Sequence, residues 1–143
     1  MAVCIDTWGW IALCDKTSEM HALVTRFMQD LLEDGERFVT SNFVFGETIT
    51  LAFSHYGESG GERILDGTLA TLKLPQCRLE EITPDRFQKA VQLRRRYRDK
   101  PRISFTDLTT MVVMRELGIT DILTADRHFA QVNLGFRLVP EGR

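Results

Sequence analysis

Four acidic residues are placed where a carboxylate can do chemistry. Asp6 ends the apolar run Ala2-Val3-Cys4-Ile5, and Asp126 follows the run Asp121-Ile122-Leu123-Thr124. Glu47 lies early in a segment that Ser41 or Asn42 can cap, and Asp107 lies in the first turn of one that Ser104 or Thr106 can cap. Gathered carboxylates repel one another, which raises their pKa values and destabilises the fold unless cations sit among them. Mg²⁺ or Mn²⁺ prefers oxygen ligands and keeps several waters, so an acidic set suits these ions better than zinc. Two such ions about 3.5–4 Å apart can activate a water and stabilise the leaving oxygen of a phosphodiester.

Singly, each acid has a plainer reading. Asp6 serves as a turn residue, Asp107 complements a helix dipole, Glu47 sits on a solvated helix face, and Asp126 caps a short helical turn. Only their convergence makes a site, and convergence depends on the elements that carry them.

Ala2–Ile5 reads as a strand buried on both faces. Trp8 to Leu13 can form a short helix, and Ser18 can cap a longer one to about Asp34, with Leu23, Val24, Phe27, Met28 and Leu31 on one stripe. Arg37 to Thr40 is a second strand. The helix after it carries Phe45, Ile49, Ala52, Phe53 and Tyr56, and Gly57-Glu58-Ser59-Gly60-Gly61 reads as a loop. An amphipathic segment with Ile64, Leu65, Leu69 and Leu72 precedes a third strand over Arg78 to Ile82. Thr83-Pro84 is a helix start, with Phe87, Ala90, Val91, Leu93 and Tyr97 as the buried face. Leu108, Val112, Val113 and Leu117 mark the helix that Gly118 ends, before strands at Asp121 to Thr124 and Phe136 to Val139. Alternating strands and helices predict an α/β fold, a mainly parallel sheet of four to five strands flanked by helices. The whole of 1–143 reads as one domain. In such a sheet the crevice lies beyond the carboxyl ends of the strands, where Asp6 and Asp126 fall, and helices bearing Glu47 and Asp107 start at the same edge.

With those positions in place, the chain resembles the PIN domain family, the ribonuclease fold of VapC-type toxins in toxin–antitoxin pairs. The resemblance rests on Val3-Cys4-Ile5-Asp6-Thr7, on Thr40-Ser41-Asn42 followed by Glu47, on Ser104-Phe105-Thr106-Asp107, and on Leu123-Thr124-Ala125-Asp126-Arg127-His128-Phe129. It implies that Asp6, Glu47, Asp107 and Asp126 form a catalytic metal site for Mg²⁺ or Mn²⁺, with Thr124 as the hydroxyl beside the last acid. It also implies an RNA substrate, a homodimer and a small antitoxin protein that lays a positive side chain into the acidic groove. Asp121 begins its strand and is expected to point away.

Apolar residues make up 43% and charged residues 27%, with a net charge of −2, so neither disorder nor a coiled coil is indicated. Cys4, Cys14 and Cys77 lack metal-ligand or disulfide spacing and read as small core residues of a reducing compartment. No apolar stretch reaches membrane-spanning length, which makes a cytoplasmic location the default. Arg94, Arg95, Arg96, Arg98, Lys100 and Arg102 form a basic run. It reads either as a solvated helix end or, near a phosphodiesterase site, as phosphate contacts, with Arg98, Lys100, Arg102 and Arg127 as candidates. His128 reads as a surface residue able to reach substrate, and His21 and His55 as structural. Trp8 and Trp10 could stack on bases but fit a core better. Two other functions share the pattern: a PIN-fold module that binds RNA or protein without turnover, and a receiver-like phospho-acceptor domain, which wants a lysine after its last strand.

Overall fold

The computed structural model describes residues 2–141. In chain order the elements are β1 (Ala2–Ile5), α1 (Thr7–Cys14), α2 (His21–Glu33), β2 (Arg37–Ser41), α3 (Asn42–Leu72), β3 (Cys77–Glu80), α4 (Pro84–Arg96), α5 (Phe105–Leu117), β4 (Asp121–Leu123), α6 (His128–Gln131) and β5 (Arg137–Val139). All strand pairs are parallel, and the order is β3-β2-β1-β4-β5. This order overturns the receiver-like alternative, because that fold runs 2-1-3-4-5. It also places the reversal of strand order between β1 and β4, the two strands that lead into Asp6 and Asp126.

Strand periodicity sorts the core into two layers. Val3, Ile5, Phe38 and Leu123 point to one face and pack with Trp10, Val24, Met28 and Val44 from α1, α2 and α3. Cys4, Val39 and Ile122 point to the other and meet Leu93 of α4 and Leu108, Met111 and Met114 of α5. Because β1 is central and covered on both faces, its run of small apolar residues ends where covering helices stop and a polar residue first becomes useful. No helix among the described residues is long and apolar enough to cross a membrane.

Three expectations need correction. The break expected over residues 57–61 narrows to one residue: Gly57, at φ 72° and ψ −174°, kinks α3 into two helical parts, and residues 58–61 already belong to the second. Gly60 and Gly61 serve close packing instead, since a Cβ on Gly61 would stand 2.6 Å from the Phe53 ring. The buried stripe of α3 is rotated from the apolar one, with Val44, Thr48 and Ala52 inward and Phe45 only half-buried. Thr48 enters the core because its hydroxyl donates to the Val44 carbonyl at 2.8 Å, leaving no polar group unsatisfied. Finally, α2 starts at His21, because Ser18 spends its hydroxyl on the amide of Met20 in a turn ahead of the helix.

Candidate metal centre

β1 delivers Asp6 to the switch point, where it becomes the N-cap of α1: its Oδ1 accepts the Gly9 N–H at 2.9 Å. Gly9 permits the approach, since a Cβ there would lie 2.7 Å from the Leu123 carbonyl oxygen. β4 ends alongside, and the Thr124 hydroxyl donates to Asp6 Oδ2 while accepting the Asp126 N–H at 2.9 Å. One hydroxyl therefore ties the ends of two strands and fixes two of the four acids. Ser104 caps α5 by accepting the Asp107 N–H at 3.0 Å, which sets Asp107 in the first turn. Glu47, one turn and a half into α3, accepts the Thr7 hydroxyl at 2.8 Å. Thr7 was not singled out from sequence; its position directly after Asp6 was the available signal.

The donor atoms of Asp107, Asp126 and His128 all lie within 4.8 Å of one another. Asp6 and Glu47 stand around this group without joining it, near enough to act on its charge. Asp126 Oδ1 accepts the His128 N–H at 2.9 Å, so its capping role and its place in the cluster coexist.

Burial pushes the Asp6 carboxyl up to about 7, against the hydrogen bonds from Thr124 and Gly9 and with further elevation from Asp126 and Glu47. Asp107 is raised as well, first by burial and then by Asp126, Asp6 and Glu47. Among the leading causes of either rise, the neighbouring charges are all carboxylates. A mutually repelling set of oxygen donors, with Asp6 and Asp107 buried, Asp126 half-buried and Glu47 exposed, fits a hard divalent cation.

Asp121 faces elsewhere, held by Arg137 through two bonds of 2.9 and 2.7 Å. Arg98, Arg102 and Arg127 are exposed. Lys100 pairs with Asp99 at 3.0 Å and lies 5.9 Å from the centre of the Tyr97 ring. Arg94 points inward, donating to the carbonyls of Tyr97, Lys100 and Ile103 at 2.6–2.7 Å, which fixes the loop before α5. Trp10 is fully buried, with its indole N–H on the Thr40 hydroxyl at 3.0 Å, and has no face for a base. A cavity of about 640 Å³, lined by Leu13, His21, Tyr56, Arg63 and Ile64 among others, touches none of the four acids.

Residues 3–134 match the family model described as PIN domain. The chain is 29% identical over 126 residues to VapC20, a 23S rRNA-specific endonuclease of two Mycobacterium tuberculosis strains, covering 88% of this chain and 90% of the relative. The crystal structure of Mycobacterium tuberculosis VapC20, described as a sarcin–ricin loop cleaving toxin, superposes with a TM-score of 0.79 at 28% identity, covering 96% of this chain and 98% of that one. VapBC2 from Rickettsia felis, crystallised on a DNA fragment from its promoter, shares the fold at a TM-score of 0.71 and 14% identity, over 97% of this chain and 98% of that one.

Proposed function

The chain belongs to the PIN domain family, and from that premise we propose that it is a divalent-metal-dependent endoribonuclease, the toxin half of a toxin–antitoxin pair. The observation that carries this reading is the convergence of Asp6, Glu47, Asp107 and Asp126 at the β1/β4 switch point, close enough that each raises its neighbours' charge cost. Asp107 and Asp126 would hold the ion directly, with Asp6 and Glu47 completing the ring of oxygens. When bound, Mg²⁺ or Mn²⁺ supplies an activated water and stabilises charge on the leaving oxygen.

The protein's own residues prepare that chemistry. Thr124 fixes the Asp6 carboxylate and the backbone of Asp126, so the acids need not reorganise when substrate arrives. Thr7 holds Glu47 toward the crevice. Arg127, beside the last acid, and Arg98, Lys100 and Arg102, on the loop that leads into α5, take the phosphates of the RNA backbone. A structured ribosomal RNA loop is the first substrate to try, given the activity of VapC20. A small antitoxin and a second copy of the chain belong to the same proposal, and co-purification with the neighbouring gene's product tests them.

The deciding experiment is cleavage of a 23S rRNA fragment by the purified chain with Mg²⁺ or Mn²⁺, with chelator, and with the Asp107→Asn variant. Metal-dependent cleavage lost in the variant is expected. Undiminished cleavage in chelator sinks the proposal. A chain that binds RNA but never cleaves it is the binding module instead.

A further inference from the structure

The acids are not the whole of the tightest donor group, which includes an imidazole. We propose that His128 supplies a nitrogen ligand to the ion held by Asp107 and Asp126, tilting the site toward Mn²⁺ over Mg²⁺; this rests on the metal-dependent reading above.

His128 Nδ1 lies 3.0 Å from Asp126 Oδ1, yet the two do not form a hydrogen bond. That oxygen already accepts the backbone N–H of His128. Nδ1 is itself buried and has no hydrogen-bond partner, although the side chain as a whole is 27% exposed. When the ring is protonated this contact is an ion pair; when Nδ1 carries no proton, nitrogen and oxygen present two lone pairs to one shared cation. Neighbouring ligands of an octahedral ion with bonds of about 2.1 Å stand about 3.0 Å apart, which is the separation seen.

The placement is built rather than incidental. His128 opens α6, whose Phe129 is fully buried against the α5 side of the sheet, and its own amide is fastened to Asp126. The backbone that carries the imidazole is thus pinned on both sides of its Cα. A nitrogen donor matters little to Mg²⁺, which favours oxygen, and more to Mn²⁺ and later transition metals.

The test uses the full chain, stripped with chelator and loaded with Mn²⁺, and reads electron spin echo modulation from directly bound ¹⁴N. The wild type is expected to show imidazole nitrogen coupling, and ¹⁵N-histidine labelling is expected to replace that pattern with no substitution at all. His128→Ala retains His21 and His55, so loss of the coupling in this variant assigns it to His128. Calorimetry on the same samples is expected to show the Mn²⁺ Kd rising about tenfold and the Mg²⁺ Kd changing less than about threefold. Mn²⁺ binding by the wild type without nitrogen coupling, or an unchanged Mn²⁺/Mg²⁺ ratio in the variant, overturns the proposal and leaves the carboxylate site standing. Failure of the wild type to bind Mn²⁺ at all overturns both.

Discussion

Removing the charge of Asp6 is expected to stabilise the metal-free protein at neutral pH while abolishing its activity. Asp6→Asn keeps the shape of the side chain and an oxygen for the Gly9 amide, so the α1 cap survives. The carboxyl rises from its ordinary 3.8 to about 7 on folding. At about 1.4 kcal/mol per pH unit, this rise amounts to roughly 4 kcal/mol. The sign follows from proton uptake: the folded state holds this proton more tightly than the unfolded one. The folded protein is therefore unpenalised below pH 3.8, loses stability as pH climbs from there to about 7, and loses no more beyond. The Asn variant lacks that loss. Thermal unfolding in chelator between pH 4.5 and 8 should show the two proteins converging at the acid end and the variant melting up to about 10 °C higher at the alkaline end. Saturating Mn²⁺ or Mg²⁺ should close most of that gap, because an ion at 100 times its Kd adds about 2.7 kcal/mol to the protein that binds it. A variant that loses stability with rising pH in parallel with the wild type in chelator, or that melts below it at pH 8, refutes the reasoning.

Asp107→Asn should lower the rate of RNA cleavage by about 1000-fold, several kcal/mol of metal-derived stabilisation, with far-UV circular dichroism unchanged. Thr124→Val deprives Asp6 of its donor and the Asp126 amide of its acceptor. It should cost about 1–3 kcal/mol by urea unfolding and weaken metal binding about 10–100-fold, whereas Thr124→Ser retains most of both. Gly9→Ala forces a methyl group against the Leu123 carbonyl and should destabilise by about 1–3 kcal/mol in the same assay, with cleavage falling as Asp6 shifts. The double variant Arg98→Ala/Arg102→Ala should flatten the dependence of log K on log salt for single-stranded RNA by about 1.4, read by fluorescence anisotropy; an unchanged slope removes these residues from the phosphate contacts.

Much of the fold was legible because β1 and β4 are short apolar runs that end in polar residues, and strands covered on both faces leave that mark. The caps were legible too: Thr83 accepts the Arg86 amide, Ser104 accepts that of Asp107, and Gly118 takes the left-handed conformation at the end of α5. Gly57 does break the helix, but Gly60 and Gly61 misled because glycine in sequence signals both a turn and a close approach, and only packing against Tyr56 and Phe53 distinguishes them. Arg94 was indistinguishable from its basic neighbours until the backbone carbonyls of the following loop turned toward it. At the acids, type and strand-end position could be read from one dimension. Which donor atoms come within 4.8 Å could not, because it depends on how α6 swings His128 back onto Asp126. The spacing Asp126-x-His128 was the one trace of it.

The bond between Thr124 and Asp6 joins residues 118 positions apart. Closing so long a stretch of chain carries a large entropic cost and comes after local helices have formed, so the crevice is among the last features to assemble. During synthesis, which proceeds from the amino end, Asp6 emerges before Glu47 and Asp107, and β4, Thr124 and Asp126 follow all three. A polypeptide interrupted just before Thr124 carries Asp6, Glu47 and Asp107 without the hydroxyl that fixes Asp6 and without Asp126. Topology thereby withholds the assembled site from the RNA around it until β4 has been made.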